Sequence, residues 1–351
     1  MRYPALDGLR GIAALSVIIS HHSNLTGLFD GLLGKGGGQL GVMLFFCLSG
    51  FLMARLYIDR PLRIDTFLGF ARARIARVIP LYLLVVFASH GASLLYGDAT
   101  ALYAVTSNNL LHHLAFHSGT SVLWTIPVEV QFYALFPVFW LIFRCFGPSV
   151  LIAVMIVAAL TVALLGYPQW PGVLRACSFF FAGMVVAMSA SSNKVPFANW
   201  AFVIFFAVYV LSFPEVSEAI GIGPRDDPTT HISHTLWTTP TYVIVITAFL
   251  WACLHSSWAE KVLGGGVMGF YGKISYSLYL LHMPILWILD DYAWATARPM
   301  LAFAVLLSIT TVLAWLSYRF IEHPARQAIN RLPIPRIPEW VMGVPGSKFP
   351  R

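Results

Sequence analysis

Two residues near the start of the chain have the types and the spacing for anion binding and proton transfer. Arg10 and His21 are eleven residues apart, close to three whole turns of an α-helix, so both side chains would lie on one face about 16 Å apart along the axis. The first turn of a helix favours an anion, and histidine is the side chain best suited to proton transfer near neutral pH. The alternatives are an arginine anchored to lipid headgroups and a histidine packed against another helix. His22 would point about 100° away from the shared face.

A carboxylate, Glu129, lies within a long apolar run. An unpaired carboxylate in a membrane is costly, so it must be protonated or find a partner. A carboxylate beside an imidazole fixes the tautomer of the ring and raises its basicity. We therefore expect Glu129 to orient His21, which lies at similar depth in the topology given below. The alternative is a structural carboxylate that pairs with a tyrosine or an arginine.

A polar stripe lies near the end of the chain. Ser275, Tyr279 and His282 recur at i, i+4 and i+7 and so share one helix face. With Tyr276 beside them, these residues predict either the lining of a substrate cavity or hydroxyl groups that hold neighbouring helices together.

A basic segment predicts phosphate binding. Arg74 and Arg77 are i, i+3 neighbours on one helix face, and Arg72 precedes them. Arginine binds phosphate oxygens through paired N–H groups. The alternative is an anchor for the headgroups of membrane lipids.

The sequence predicts no metal site. His112, His113 and His117 are closely spaced, but no acidic residue or cysteine stands beside them. The four cysteines form no CxxC pair, so neither a zinc site nor a disulfide framework is indicated.

The composition requires a membrane around these polar groups. Of the 351 residues, 58% are hydrophobic and 11% are charged, and the mean hydropathy is +0.75. Soluble domains carry about 25% charged residues, so an ordinary soluble enzyme, a disordered chain and a disulfide scaffold are excluded. The net charge of +7 would suggest nucleic acid in a soluble protein. In a membrane protein the positive-inside rule accounts for it, and no nucleic acid is expected.

Ten apolar runs are long enough for membrane-spanning helices, since a span needs about 20 mostly apolar residues. Segments rich in glycine, proline or charge separate them, including 34–38, 55–77 and Gly147-Pro148. The sequence therefore predicts an all-α, polytopic integral membrane helical bundle. The predicted spans are 11–29, 40–56, 79–97, 121–143, 148–166, 173–190, 197–213, 239–255, 271–290 and 300–320.

The distribution of basic residues orients this bundle. Ten spans place both termini on one side, and with that side in the cytoplasm 18 of the 22 lysines and arginines face inward. The positive-inside rule favours this orientation over its inverse. The basic residues left outside are Lys35, Arg175, Arg225 and Arg298.

Several segments resemble the membrane-bound acyltransferase-3 family. Its hallmark is an arginine, ten intervening residues and a histidine, which Arg10 and His21 match after the opening LDGLRGIAAL. Further similar segments follow in the family's order, and together they span nearly the whole chain. They are Phe45–Leu52 (FFCLSGFL), Arg72–Pro80, Trp124–Tyr133, Ile274–His282 and Tyr318–Pro324 (YRFIEHP).

The resemblance implies a bacterial inner-membrane enzyme that O-acylates a carbohydrate such as lipopolysaccharide O-antigen, exopolysaccharide, peptidoglycan or a lipid-linked oligosaccharide. It implies acetyl-CoA from the cytoplasm as the donor, with acetyl as the default group. Some members carry an additional periplasmic hydrolase-like domain. Because the chain ends soon after its tenth predicted helix, we expect the stand-alone form. We expect a transmembrane domain over 1–325 and a cytoplasmic tail rich in proline and arginine over 326–351.

Resemblance and spacing together predict how the reaction is divided among these residues. His21, oriented by Glu129, would act as general base on a sugar hydroxyl or carry the acyl group transiently. The polar stripe would line the acceptor site or stabilise the oxyanion, and outer loops 98–120 and 214–238 would contact the acceptor. The phosphates of CoA would be held by Arg10 with some of Arg72, Arg74 and Arg77.

A transporter or flippase for a lipid-linked sugar or a small anion is the alternative from another functional class, because a His/Glu pair at membrane depth also relays protons. The chain shows no internal repeat of the kind that many transporters have. A non-catalytic membrane scaffold is a third alternative, in which Arg10, His21 and Glu129 would be freely replaceable.

Overall fold

The computed structural model describes residues 3–97, 102–166, 170–189, 195–222 and 236–334. Over these ranges the chain is helical and contains no strand, which confirms the predicted all-α class. The α-helices are α1 Pro4–Thr26, α2 Gly38–Tyr57, α3 Ile64–Tyr96, α4 Leu110–Leu114, α5 Thr125–Leu165, α6 Val173–Ser189, α7 Phe197–Leu211, α8 Pro214–Ala219, α9 Pro240–His255, α10 Ser257–Leu263, α11 Gly266–Asp290, α12 Ala293–Ala297, α13 Pro299–Ser317 and α14 His323–Arg331.

All ten predicted spans fall on helices. The fourth and fifth predicted spans both lie within α5, which is broken at Gly147, where φ is 84°. A positive φ is readily adopted by glycine, and the following proline cannot donate a backbone hydrogen bond. The Gly147-Pro148 pair therefore separates two helical arms, as the sequence predicted.

Four helical stretches in the described parts of the chain are long and apolar enough to cross a membrane: Gly38–Tyr57, Ile64–Tyr96, Ser121–Leu165 and Pro299–Arg331. A fifth is formed if α9 and α10, which meet at an angle of 91°, count as one broken span. The predicted spans in α6 and α7 form apolar helices of only 17 and 15 residues. Neither α1 nor α11 is among the long apolar stretches, although both were predicted as spans. These two helices carry Arg10, His21 and the polar stripe, and such side chains lower the hydropathy of a helix.

The predicted break over 55–77 is only partly present. α2 ends at Tyr57, but α3 begins at Ile64 and includes the basic segment. Arginine, alanine and leucine are good helix formers, so the charges that suggested a loop lie instead on a helical extension. α14 packs along this extension, where the side chain of Arg72 donates a hydrogen bond to the backbone oxygen of Leu332.

The first part of the predicted tail belongs to the folded body. α14 continues to Arg331, and Ile334 lies beside Gly69 of α3. The remaining tail residues, 335–351, lie outside the described ranges. So do 98–101 and 223–235 of the predicted acceptor loops, including Arg225.

α1 and α11 pack side by side and run in the same direction, because Gly11 lies against Gly272 while His21 contacts His282. The two backbones approach so closely that a Cβ added at Gly272 would come 1.7 Å from the backbone oxygen of Asp7. Parallel packing agrees with the prediction that these helices are the first and ninth spans. It also places the Arg10–His21 face of α1 directly against the polar stripe.

Candidate active site

Two histidines from these parallel helices form a hydrogen-bonded pair. Nδ1 of His21 lies 2.9 Å from Nε2 of His282, and the two ring planes are within 15° of each other. Nδ1 of His282 lies 2.7 Å from the backbone oxygen of Tyr279. His282 is fully buried, whereas His21 is half-buried.

The carbonyl contact determines the tautomers of this pair. A carbonyl oxygen only accepts, so Nδ1 of His282 must carry a proton. In neutral His282 the Nε2 atom is then an acceptor, and Nδ1 of His21 must donate to it. Nε2 of His21 consequently keeps its lone pair and is the ring nitrogen available for a substrate.

His21 lines a cavity of about 160 Å³, here called the histidine cavity. Its mouth is at Ser121, an exposed residue with a left-handed φ of 47°. None of its lining side chains is a carboxylate, a lysine or an arginine. The lining residues are Val17, His21, Gly38, Gln39, Val42, Ser121, Val122, Trp124, Tyr279 and Met283.

Arg10 lines a second cavity of about 50 Å³, here called the arginine cavity. Charged and hydroxyl-bearing side chains surround it, and the phenyl rings of Phe45 and Phe46 complete its wall. The polar side chains in its wall are Arg10, Ser49, Arg77, Thr125, Glu129, Ser275, Tyr276 and Tyr279.

Tyr279 and Val42 contribute to the walls of both cavities and separate them. The hydroxyl of Tyr279 donates to the backbone oxygen of Val122 at 2.9 Å. The same Tyr279 hydroxyl accepts a hydrogen bond of 3.2 Å from the hydroxyl of Thr125. Arg10 and His21 thus face the same neighbouring helices, as their spacing predicted. His22 faces elsewhere and bonds to the backbone oxygen of Pro299 at 2.9 Å.

The basic segment divides between two places. Arg77 lines the arginine cavity, and buried Arg74 lies with its guanidinium 5.9 Å from the ring centre of Tyr133. Arg72 instead lines a separate surface cavity with Arg60. The structure thus places one of the three predicted phosphate ligands, Arg77, in the same cavity as Arg10, whereas Arg74 lies against Tyr133 and Arg72 lines another cavity.

Among the described residues, no carboxylate forms an ion pair with Arg10, Arg74 or Arg77. The Nε atom of Arg74 is buried and has no hydrogen-bond partner, and the same is true of the Nε atom of Arg72 in the separate surface cavity. A buried donor without a partner carries a desolvation cost that an incoming anion would remove. The arginine cavity therefore has two guanidinium groups without an ion-pair partner among the described residues, which suit a phosphate or a similar anion.

Glu129 does not contact His21, contrary to the sequence-based expectation. Its carboxylate accepts hydrogen bonds from the hydroxyls of Tyr133 and Ser49, the latter at 3.2 Å. Glu129 also lies within electrostatic reach of Arg10. The alternative of a carboxylate bonded to a tyrosine therefore describes this residue better than a partner of His21.

The polar stripe serves both cavities. Ser275 and Tyr276 lie on the side of the arginines, where Tyr276 also bonds to the backbone oxygen of Val78 at 2.7 Å. His282 bonds to His21. The position of His282 in the polar stripe did not indicate this partner, because the partner lies on another helix. The i, i+3 spacing of Tyr279 and His282 does indicate the second bond of this ring, from Nδ1 of His282 to the backbone oxygen of Tyr279, which fixes the orientation of the ring.

Beside the histidine cavity lie three residues that the sequence does not mark as part of a site: Gln39, Arg175 and Trp237. Gln39 lies in the histidine cavity, and its Oε1 accepts a hydrogen bond of 3.1 Å from Nε1 of Trp237. The guanidinium of Arg175 lies between Trp124 and Trp237, at 4.2 and 4.8 Å from their ring centres. In the sequence, Gln39 stands out only as a single glutamine at the start of the apolar helix α2, and this isolated polar residue could have indicated a polar contact such as the one with Trp237.

In the described residues, no three His, Cys, Asp or Glu side chains are grouped closely enough to hold a metal ion. His112 and His117 are exposed and lie beside each other, whereas His113 is buried and bonds to Thr120 at 3.1 Å. Burial, and to a smaller extent the neighbouring His112, lowers the pKa of His113.

Two curated proteins are similar to this chain in sequence. The "Putative peptidoglycan O-acetyltransferase YrhL" of Bacillus subtilis (strain 168) is 27% identical over 96% of this chain and 58% of its own length. "O-acetyltransferase OatA" of Staphylococcus aureus (strain NCTC 8325 / PS 47) is 26% identical over 92% of this chain and 57% of its own length. The chain thus spans a little over half the length of these relatives. No solved structure matches it significantly.

The family comparison covers both cavities. The family model described as "Acyltransferase domain" (Acyl_transf_3) matches residues 3–319, from the start of α1 into the π-helical turn Tyr318–Glu322. This range contains both histidines of the hydrogen-bonded pair and every residue that lines the arginine and histidine cavities. The chain belongs to this acyltransferase family.

Proposed function

We propose that this protein transfers an acyl group, with acetyl as the default, from acyl-CoA to a hydroxyl of a cell-surface or lipid-linked carbohydrate. The names of the similar proteins support O-acetylation of a glycan. The observation that carries the proposal is the pair of cavities on either side of Tyr279, one cationic and one with an available imidazole nitrogen.

The cationic side suits the donor, because CoA is rich in phosphate. Arg10 and Arg77 line the arginine cavity, and buried Arg74 adds an unused donor nearby. Fork-shaped guanidinium groups bind phosphate oxygens in pairs. A volume of about 50 Å³ holds only a few water molecules, so Phe45 and Phe46 must move to admit the pantetheine arm.

The histidine side suits the chemical step. Nε2 of His21 takes the proton of the acceptor hydroxyl as its oxygen attacks the thioester carbonyl carbon. The carbon–sulfur bond then breaks, and the leaving thiolate takes the proton from Nε2. The products are the acyl ester and the free thiol of CoA. The bond from Nδ1 of His21 to His282 holds the ring in the required tautomer throughout.

The location follows from charge. Arg10 and Arg77 lie at the same end of the bundle, and Arg326 of α14 is within electrostatic reach of Arg77. Positive charge accumulates on the cytoplasmic side of membrane proteins, so this end faces the cytoplasm. The donor enters there, and the acceptor reaches His21 from the opposite side of the inner membrane.

The test is transfer of label from radiolabelled acetyl-CoA to envelope glycan that has been treated with base to remove its acetyl esters. Wild-type protein in liposomes is expected to label the glycan and release free thiol in equal amounts. His21→Ala is expected to abolish both, whereas His323→Ala, which changes a histidine of α14 outside both cavities, serves as the matched control. Wild-type activity in a well-inserted His21→Ala protein would contradict the proposal. Sugar counterflow without thiol release would favour the transporter instead.

A further inference from the structure

The histidine cavity has unused hydrogen-bonding groups that the acyl-transfer step does not itself require. We infer that this cavity is the acceptor subsite. It would bind one uncharged pyranose ring, which Gln39 would hydrogen-bond and Trp124 would pack against. The inference rests on the proposed function and specifies its acceptor. It also moves the acceptor contacts away from Ser275 and Tyr276, which lie in the arginine cavity.

The orientation of Gln39 is fixed by its neighbour. The indole N–H of Trp237 can only donate, so the oxygen of the Gln39 amide must face it, at 3.1 Å. The NH₂ group of Gln39 therefore points the other way, and its two hydrogens have no partner among the described residues. Two free donors held at a cavity wall suit the oxygens of a sugar ring or its hydroxyl groups.

The other polar groups in the wall are also available. The hydroxyl of Ser121 at the mouth and Nε2 of His21 have no hydrogen-bond partner in the described parts of the chain. The wall thus combines a donor amide, a hydroxyl that can donate or accept, and an acceptor imidazole. A sugar presents several hydroxyl groups that both donate and accept, and it can satisfy all three at once.

Trp124 supplies a rigid apolar surface in the same cavity. Arg175 lies over its ring at 4.2 Å, and Trp237 meets it edge-on with ring centres 5.8 Å apart. Both contacts hold the indole in one orientation. An aromatic wall with a few fixed polar groups is the usual form of a small-molecule site.

The lining also indicates the charge of the ring. None of the ten residues around the histidine cavity carries a carboxylate, an ammonium or a guanidinium group. A sugar carboxylate brought here would lose water without meeting a cation in the lining, since the guanidinium of Arg175 lies over the rings of Trp124 and Trp237 and is not among the lining residues. A volume of about 160 Å³ is many times the 10–15 Å³ or so that one water molecule requires. The cavity therefore suits an uncharged ring with a free hydroxyl.

The inference is tested with the labelled glycan assay described above. Gln39→Leu and Trp124→Leu are each expected to lower glycan labelling at least about tenfold at fixed acceptor concentration. Binding of radiolabelled acetyl-CoA should be unchanged in both variants, which shows that they fold. Gln327→Leu and Trp200→Leu, both at exposed positions, are the matched controls.

Gln39→Glu adds a second variant of nearly the same shape, in case Gln39→Leu inserts poorly. It replaces the free NH₂ donors by a charge and should reduce labelling as strongly. Mass spectrometry of the labelled product should place the acetyl ester on a neutral hexose or hexosamine. Full labelling by Gln39→Leu and Trp124→Leu, or an ester on a uronic acid, would overturn the inference. Failure of the wild type to label any glycan would instead contradict the proposed function.

Discussion

The arginine cavity and the histidine cavity share Tyr279 and Val42 but differ in nearly every other respect. The first is small and contains two arginines and a carboxylate, whereas the second is about three times larger and has no charged side chain. The difference separates two chemical demands. Phosphates bind to fixed cations. An imidazole that acts as a base must release its proton again, so its surroundings should not stabilise the protonated ring.

In the proposed reaction, the separation would also keep the donor from water until it reaches the acceptor. On that route, a thioester that enters between Phe45 and Phe46 would be enclosed by the cavity wall before it passes Tyr279. Water exclusion of this kind limits hydrolysis of a reactive acyl group. The comparison therefore predicts which variants should damage chemistry and which should damage donor binding.

The largest effect is expected from the histidine pair. His282→Leu removes the acceptor for Nδ1–H of His21, so the ring can turn or change tautomer, and kcat should fall by about 100-fold or more. His282→Gln can present an amide oxygen to the same proton and should recover much of the loss. The measurement is steady-state acetyl transfer with both variants.

A double-mutant cycle with His21→Ala distinguishes positioning from mere packing. The loss in the double variant should equal that of His21→Ala alone, since His282 acts only through His21. Additive losses would show that His282 supports the fold or contacts the substrate independently.

The next effect is expected in the arginine cavity. Arg77→Ala removes a cation that forms no ion pair within the described residues, so the KM for acetyl-CoA should rise by about 10- to 100-fold with a smaller change in kcat. Arg77→Lys should recover only part of the affinity, because an ammonium group lacks the guanidinium fork.

Arg72→Ala provides the internal comparison within the same helix. Arg72 lies in a different cavity and bonds to the backbone of Leu332, so its loss should raise this KM much less than the loss of Arg77. An equal rise in the KM for acetyl-CoA in the two variants would mean that the arginines attract the donor through their combined positive charge and not through contacts in the arginine cavity.

A smaller effect is expected at the boundary between the cavities. Tyr279→Ala would open the wall and should increase the rate with butyryl-CoA relative to acetyl-CoA by about several-fold, since pocket size sets discrimination between acyl chains at about 1–3 kcal/mol per methylene. Tyr279→Phe keeps the ring and should preserve the preference for acetyl. An unchanged ratio in Tyr279→Ala would show that the donor does not pass this residue.

Sequence reasoning identified the elements of the site because they follow local periodicity. The eleven-residue interval fixes Arg10 and His21 on one face of α1 whatever surrounds the helix, and the Gly147-Pro148 pair stops a helix through its own backbone. Both predictions are confirmed. The density of charge over 55–77 predicts a loop, but the same residues form helices readily, so α3 begins earlier than the sequence indicates.

The pairing of side chains from different helices could not be obtained in this way. Similar depth in the membrane predicts that Glu129 pairs with His21. Depth does not specify which faces of α1 and α5 meet. That choice depends on packing such as the close approach of Gly272 to Asp7, which brings α11 and therefore His282 to His21. Tertiary contacts of this kind leave no periodic signal in one helix.

Glu129 itself gives the smallest expected effect and the most direct test of the corrected pairing. Glu129→Gln keeps the shape of the side chain and can still accept from Ser49 and Tyr133, but it removes a negative charge near Arg10. The KM for acetyl-CoA should change by no more than about threefold, while kcat should stay near that of the wild type. The measurement is a cycle that combines Glu129→Gln with His282→Leu. Since the two residues lie in different cavities, their effects should add. A large fall in kcat that disappears in the His282→Leu background would instead restore the carboxylate–imidazole pair and remove the distinction between the two cavities.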